Sequence, residues 1–382
     1  MLRNSRGAAL ILTMWIMLAL IILAGGIAMM ARTETQISRN YGDVIKCRWA
    51  ARAGVRCAIQ KINTLLQDDS LYLGEDPYAV SSDDLTIDLG GCSFNATIQD
   101  EAGKVNINTA SADTLTALFG SSDISDCIID WRDADDTPRP QGAESDYYPT
   151  LSPPYKCRSG AFQTPGELEL VKGITDDLLS SPPPQGSIPV RDLITVFGPK
   201  SKPPTESDTV DIQSASSSKL HQVLGDVLDS RDIDAIVSYR SRRAFTTPAE
   251  IVRVSGITRE KIEKIYGRLT VGSSSATSDM VNINTAPADV LMTQPGLDAN
   301  TAQNIIDYRT QNGGFDNVGG LLAINDITND AFVSAAPHFA VKSRVFKIIS
   351  TGKFTATGAS ATITCVVEIG TDGQTKIRYW QE

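Results

Sequence analysis

Histidine is nearly missing from this chain: two in 382 residues, His221 and His338. The six cysteines, Cys47, Cys57, Cys92, Cys127, Cys157 and Cys365, form no CxxC pair. Together these scarcities argue against zinc, which draws on clustered cysteine and histidine. The sequence also lacks a glycine-rich phosphate loop, a serine elbow and a metal-binding histidine pair. The common phosphoryl-transfer, esterase and metalloprotease chemistries therefore have no carrier, and the chain reads as a non-enzyme. Positive charge is in deficit as well. The formal net charge is −10, whereas general nucleic-acid binding relies on lysine and arginine neutralising phosphates.

One further scarcity is local. From Ala8 to Ala31 there is no charged residue. As a helix this run spans about 36 Å, enough for a bilayer core of about 30 Å with some tilt. Arg3 and Arg6 precede it, which places the N-terminus in the cytoplasm and the rest outside. A cleaved secretory signal has a shorter apolar core, and the helical pattern does not continue past it. Here Ile37, Tyr41, Val44, Ala51, Val55, Ala58, Ile62 and Leu65 recur at three- and four-residue steps. That spacing predicts an amphipathic helix with one buried stripe, running on to about residue 67. A plain single-pass anchor is the simpler alternative.

A short basic leader ending in Gly7, a membrane-length apolar run and an unbroken helical extension resemble a type IV pilin-like precursor. The resemblance implies cleavage after Gly7 by a prepilin peptidase, with Ala8 as the new N-terminus. Most pilins and pseudopilins carry a glutamate at the fifth mature position, where it neutralises the terminal ammonium of the next subunit and avoids an unpaired charge in lipid. Here that position is Leu12, and the first mature residue is alanine where phenylalanine is usual. A subunit without the glutamate suits a place where no neighbour needs neutralising, such as a fibre tip.

Internal repetition is the second strong signal. Val105-Asn-Ile-Asn-Thr-Ala110 recurs at 281–286, and a weaker copy, Val210-Asp-Ile-Gln-Ser-Ala215, lies between them. Each leads to an apolar pair, an aromatic and an arginine: Trp131-Arg132, Tyr239-Arg240 and Tyr308-Arg309. Each then shows a phenylalanine (Phe162, Phe245, Phe315) and closes on Ile-Thr, at 174–175, 257–258 and 327–328. Thr109, Ser214 and Thr285 are N-cap candidates, Pro165 and Pro248 fit first-turn positions, and Gly173 and Gly256 fit helix ends. The repeats, about 105–180, 210–271 and 281–335, resemble helix-hairpin-helix or SAM-like units. That resemblance raises a rival function, a DNA-binding or DNA-uptake membrane protein. The hairpin positions carry one glycine each and add aspartate, which would repel phosphate, so no nucleic acid is expected as partner.

Comparing the repeats exposes an insertion. From aromatic to phenylalanine is six residues in the second repeat and seven in the third, but 31 in the first, Trp131 to Phe162. The extra segment carries Asp133, Asp135, Asp136, Glu144 and Asp146. Carboxylates this dense repel unless a cation neutralises them, and calcium takes six to eight oxygens in flexible geometry. A solvated loop with Arg139 and Lys156 as surface partners is the plainer alternative.

The leader, Leu12, the VNINTA-type repeats and the block from Asp130-Trp-Arg-Asp133 to Tyr148 together resemble the minor pseudopilin K family of the type II secretion system. The resemblance implies an α+β fold: a long N-terminal helix, a small antiparallel sheet, and a large all-α insertion of three helix-hairpin-helix/SAM-like repeats. On that basis residues 1–7 are a prepilin leader and 8–66 the transmembrane and amphipathic helix. Residues 67–104 with 342–382 are a pilin-like α/β domain, and 105–341 the inserted helical domain. Alternating apolar residues predict strands at 85–89, 93–98, 345–351, 361–369 and 376–380. The resemblance further implies calcium in the helical part, with the 133–146 carboxylates as candidates. It implies other minor pseudopilins as partners and an inner-membrane, single-pass location with the bulk of the chain periplasmic. A tip minor pilin of another type IV-like system shares most of these features. In an oxidising compartment an even set of cysteines can pair: Cys127 with Cys157, which flank the acidic segment, is the first candidate and Cys92 with Cys365, in expected strands of one sheet, the second, against free buried thiols.

Overall fold

The computed structural model describes residues 5–67, 78–82, 84, 85, 87, 89–198, 209–272, 280–370 and 373–382. Arg3 and nearly all of two segments whose Pro, Gly, Ser and Thr content marks them as linkers between the repeats, 199–207 and 272–279, lie outside the described residues.

Helix α1 (Ser5–Gln67) is continuous over 63 residues. Its apolar first part is exposed from Leu10 to Met30, and it contains a stretch long and apolar enough to cross a membrane. Its second part buries Cys47, Ala51, Val55, Ala58 and Ile62. This is the expected stripe, but it starts later than the sequence suggested. Ile37 and Tyr41 belong to the same periodic row yet are exposed, because the sheet meets the helix only from about Asp43 onward.

That sheet is antiparallel, in the order β1 (Tyr78–Ser81), β2 (Cys92–Asp100), β3 (Val345–Phe354), β4 (Ser360–Ile369), β5 (Thr375–Gln381). Alternation sets its two faces. Ala96, Ile98, Phe346, Ile348, Ile363 and Cys365 pack against α1. Two glycines set the spacing. A Cβ on Gly352 would stand 2.7 Å from the Ala51 nitrogen, and one on Gly54 2.8 Å from the Phe94 ring. No strand forms among the described residues at 85–89. Ser81 and Asp84 turn the chain there, with Ser81 Oγ donating to Asp84 Oδ2 at 2.7 Å. Leu85 and Ile87 remain exposed, so their alternation has no surface to bury against. The strand on that edge is β1 instead, which the sequence reading missed.

β2 and β3 are direct neighbours in full register, Cys92 opposite Phe354 and Asp100 opposite Phe346. The three helical repeats lie between them in sequence. Each repeat closes with a two-residue parallel pairing of its start and end: Val105–Asn106 with Ile194–Thr195, Val210–Asp211 with Leu269–Thr270, and Val281–Asn282 with Phe339–Ala340. The repeated motif now has a physical reading. Its second residue turns the backbone: Asn106, Asp211 and Asn282 accept from the amide two residues on. Its fourth reaches across the repeat: Phe162, Phe245 and Phe315 donate their amides to Asn108, Gln213 and Asn284 at 2.7, 2.8 and 2.7 Å. The arginine after the aromatic donates to the carbonyl of the motif isoleucine, Arg132 to Ile107, Arg240 to Ile212 and Arg309 to Ile283. The aromatic stacks on the phenylalanine in all three.

The helix caps fall later than expected. Ser111, Ser216 and Pro287 occupy the N-cap positions where Thr109, Ser214 and Thr285 were candidates, because the Asx turn uses two further residues first. The closing Ile-Thr proves to be a cap as well: Thr175, Thr258 and Thr328 accept from the amides of Leu178, Lys261 and Ala331. Pro165 and Pro248 open 3-10 turns, and Gly173 and Gly256 take left-handed conformations beyond them.

A buried carboxylate joins the two parts of the molecule. Asp100, at the end of β2, accepts from the Ala102 amide at 2.8 Å and from Asn282 Nδ2 and Thr285 Oγ1 at 2.7 Å each. The third repeat is thereby hydrogen-bonded to the sheet.

Candidate metal centre

The insertion in the first repeat folds back on the helix that precedes it. Helix Ser122–Arg132 buries Ile128, Ile129 and Trp131 and ends at Asp133, whose amide donates to the Ile129 carbonyl. Tyr148, fully buried, meets Trp131 edge-on with ring centroids 4.8 Å apart, and Tyr155 packs on both. The insertion thus carries its own aromatic core. Lys172 Nζ donates to the carbonyls of Gln141 and Gly142 at 3.2 and 3.1 Å. Gly142 lies so close to Asp130 that any Cβ would overlap its carboxylate. The loop is pinned, and the pin brings Glu144 back beside the helix end.

Asp130, Asp133 and Glu144 converge there, with one carboxylate oxygen from each lying within 4.8 Å of the others. Asp130 is 0% exposed and Glu144 2%. Asp130 Oδ1, Asp133 Oδ1 and both Glu144 oxygens are buried without a hydrogen-bond partner. Arg139 Nε stands 3.8 Å from Asp130 Oδ1, beyond hydrogen-bonding reach, and its half-exposed charge is well screened. Two of the carboxylates also sit at the negative end of a helix dipole, where anions are disfavoured.

The electrostatics follow. Burial, then the neighbouring carboxylates, pushes Glu144 up to about 7. Burial also raises Asp130 and Asp133, the latter further through Asp135 and Asp130. Four carboxylate oxygens without a hydrogen-bond partner carry a desolvation cost that a bound cation would offset. Carboxylate oxygens without nitrogen or sulfur suit a hard cation, and three leave room for the carbonyls and waters that complete a calcium shell. The residues fit the ion.

Of the five candidates read from the sequence, Asp133 and Glu144 enter the cluster. Asp135, Asp136 and Asp146 stand exposed outside it; Asp135 Oδ1 accepts from the Thr137 amide at 2.9 Å. Asp130 was missed. Its counterpart in the third repeat, Asp307, is exposed and merely accepts from Gln303, so the repeat alignment disguised it as a surface residue. The signal that could have found it is the i, i+3 pair Asp130/Asp133 on one helix turn.

All six cysteines are thiols here. Cys127 Sγ donates to the Gln141 carbonyl at 3.3 Å, and Cys157 is half-buried. Pairing of Cys92 with Cys365 is ruled out by topology. β3 lies between their strands, and Cys92 is opposite Phe354 while Cys365 is opposite Ile348. Two strand spacings alone amount to about 10 Å, beyond the reach of a disulfide.

The first repeat, with the cluster inside it, coincides with a known domain. Residues 97–182 match the family described as type II secretion system (T2SS), protein K. A putative type II secretion system protein K of Escherichia coli (strain K12) is 22% identical over 196 residues, covering 46% of this chain and 60% of the relative's length. The crystal structure of the GspK-GspI-GspJ complex from the type 2 secretion system of enterotoxigenic Escherichia coli shares the fold. Its TM-score is 0.50 at 12% identity, over 92% of this chain and 98% of that chain. Together these similarities support the type II secretion system protein K family, with the family's own model matching only the first repeat.

A second family, described as helix-hairpin-helix motif, matches residues 277–340, the third repeat. In the second and third repeats, aspartates of the chain itself cap the helices that follow the hairpins. Asp298 accepts from the Thr301 amide, and Asp229 from those of Arg231 and Asp232. Carboxylates of the chain itself occupy the helix N-termini that would hold a DNA backbone. At the other end of the molecule, Gly7 and Ala8 lie within α1, and Leu12 is exposed on it.

Proposed function

We propose that this chain is a non-enzymatic minor pseudopilin at the tip of the periplasmic pseudopilus of a type II secretion system, where it helps to initiate assembly. The observation that carries this reading is the pairing of α1, which has Leu12 where an extending subunit needs a carboxylate, with a large helical domain inserted between β2 and β3. The first feature suits a subunit with no neighbour above it, and the second gives it a bulk that hinders stacking one there. The relative that shares the fold was crystallised as a complex with GspI and GspJ, which supports other minor pseudopilins as partners. The exposed Ile37, Tyr41 and Trp49 on α1 offer apolar contact for them. In this reading the precursor spans the inner membrane once, with its N-terminus cytoplasmic, and a prepilin peptidase removes residues 1–7. Gly7→Val is expected to leave the full-length mass in the membrane fraction and to abolish secretion. Unchanged mature mass and secretion would overturn the processing step.

Asp130, Asp133 and Glu144 would hold calcium in this reading. The ion would supply positive charge to a cluster in which, among the described residues, the half-exposed Arg139 reaches only Asp130, and the pinned loop holds the three carboxylates ready for it. Calcium at about 100 times its dissociation constant adds about 2.7 kcal/mol to a single-site protein. The full chain in detergent is expected to melt about 5 °C higher in calcium than in chelator. An unchanged melting temperature would return the insertion to a plain loop.

A further inference from the structure

The sheet face turned away from α1 is not simply solvated. The helical domain leans over part of it and encloses a cleft of about 740 Å³. Its floor is one row across four strands. Gln99 on β2 is opposite Lys347 on β3, Lys347 opposite Val366 on β4, and Val366 opposite Tyr379 on β5. The facing wall comes from the first and third repeats, with Pro165, Phe197 and Pro287 among its residues. The floor and walls mix apolar surface with amide, hydroxyl and phenol groups. A volume of this size is in the range of ligand sites, which favour domain junctions.

Lys347 stands in the middle of that floor. It is half-buried and makes no hydrogen bond or ion pair among the described residues. Burial, and Lys104 beside it, pull its ammonium down, while Glu101 and Asp192 oppose this. The carboxylates nearby are engaged or peripheral. Glu101 accepts from Lys104 Nζ at 2.8 Å and from Thr195 Oγ1 at 2.5 Å, and Asp192 is exposed at the rim. The third cation of the cleft, Arg191, is paired with Asp176 at 2.6 Å. A half-buried ammonium with no partner among the described residues thus stands at the centre of the cleft, where an incoming carboxylate would satisfy it.

We propose that this cleft binds a short peptide segment of another protein, with a glutamate or aspartate side chain seated on Lys347. The cleft is too large for a lone small carboxylate to fill, and its mixed lining matches a peptide whose apolar and polar side chains alternate around one acid. A charge-assisted hydrogen bond to Lys347 would supply the specificity. The inference stands apart from the tip position and from calcium, because it uses neither α1 nor the 130–144 cluster.

The test uses the full chain in detergent with its lysines reductively methylated with carbon-13, which keeps their charge. The Lys347 resonance is identified by its loss in Lys347→Gln. The probe is acetyl-Thr-Val-Glu-Val-Thr-amide, with the same peptide carrying glutamine in place of glutamate, and succinate, as comparisons. The expected result is a shift of the Lys347 resonance with the glutamate peptide, and binding about tenfold or more weaker for the glutamine peptide, for succinate and for Lys347→Gln. Thr364→Trp, which fills the cleft and leaves the lysine in place, is expected to block binding too. No shift up to about 10 mM peptide, equal binding of the two peptides, or succinate binding as tightly as the glutamate peptide would overturn the proposal.

Discussion

Glu144 has two buried oxygens and a hydrogen-bond donor for neither. Without a cation it is more stable protonated, so the sign of its pH dependence is fixed. Its carboxyl is raised from 4.5 to about 7 in the fold. Between those values the folded state holds more protons than the unfolded one, and stability falls as pH rises. In chelator the melting temperature is therefore expected to drop as pH goes from 4.5 toward 7. Glu144→Gln should reduce that drop and also abolish the stabilisation by calcium. A variant that keeps the full calcium response would remove Glu144 from the site. At this scale the sequence was half legible. The density of acid at 133–146 pointed to a carboxylate cluster, but three of the five candidates are exposed and the third member of the cluster, Asp130, lies upstream of the insertion. Spacing along a loop does not say which side chains turn inward. Here Gly142 against Asp130 and Lys172 on the loop carbonyls make that choice, and neither is visible as a motif.

Among the elements, periodicity and repetition were the legible signals. α1 and β2 to β5 follow from apolar spacing and the helical repeats from the recurring motif, and the fold class from these together with the family resemblance. The segment 85–89 shows the limit. It alternates like a strand, but alternation predicts a strand only where a face is there to cover it, and tertiary packing placed the edge strand at Tyr78–Ser81 instead. Small residues matter for the same reason. Gly352 was unremarkable in the sequence, yet its α-carbon lies under the α1 backbone at Cys47 and Ala51. Gly352→Val is expected to push the helix off the sheet and to cost about 1–3 kcal/mol. The check is denaturant unfolding of the full chain in detergent, compared with Thr351→Val on the opposite face. Equal stabilities would mean that the helix does not depend on this close approach.

In the whole molecule, the long insertion separates strands that are neighbours in space, and the Asp100 hydrogen bonds join the third repeat back to the sheet. A rigid junction is what a bulky cap requires, since a helical domain that swung freely would not block the position above it. The sequence could not show this junction, because Asp100 and Asn282 are far apart in the chain and become partners only through the fold. The central claim, that this chain ends the pseudopilus, is tested most directly by position. Sheared pseudopili from cells producing the chain with a gold-labelled epitope in its helical domain can be imaged by electron microscopy. The account predicts gold at one end of each fibre and none along the shaft. Label distributed along the length would contradict it.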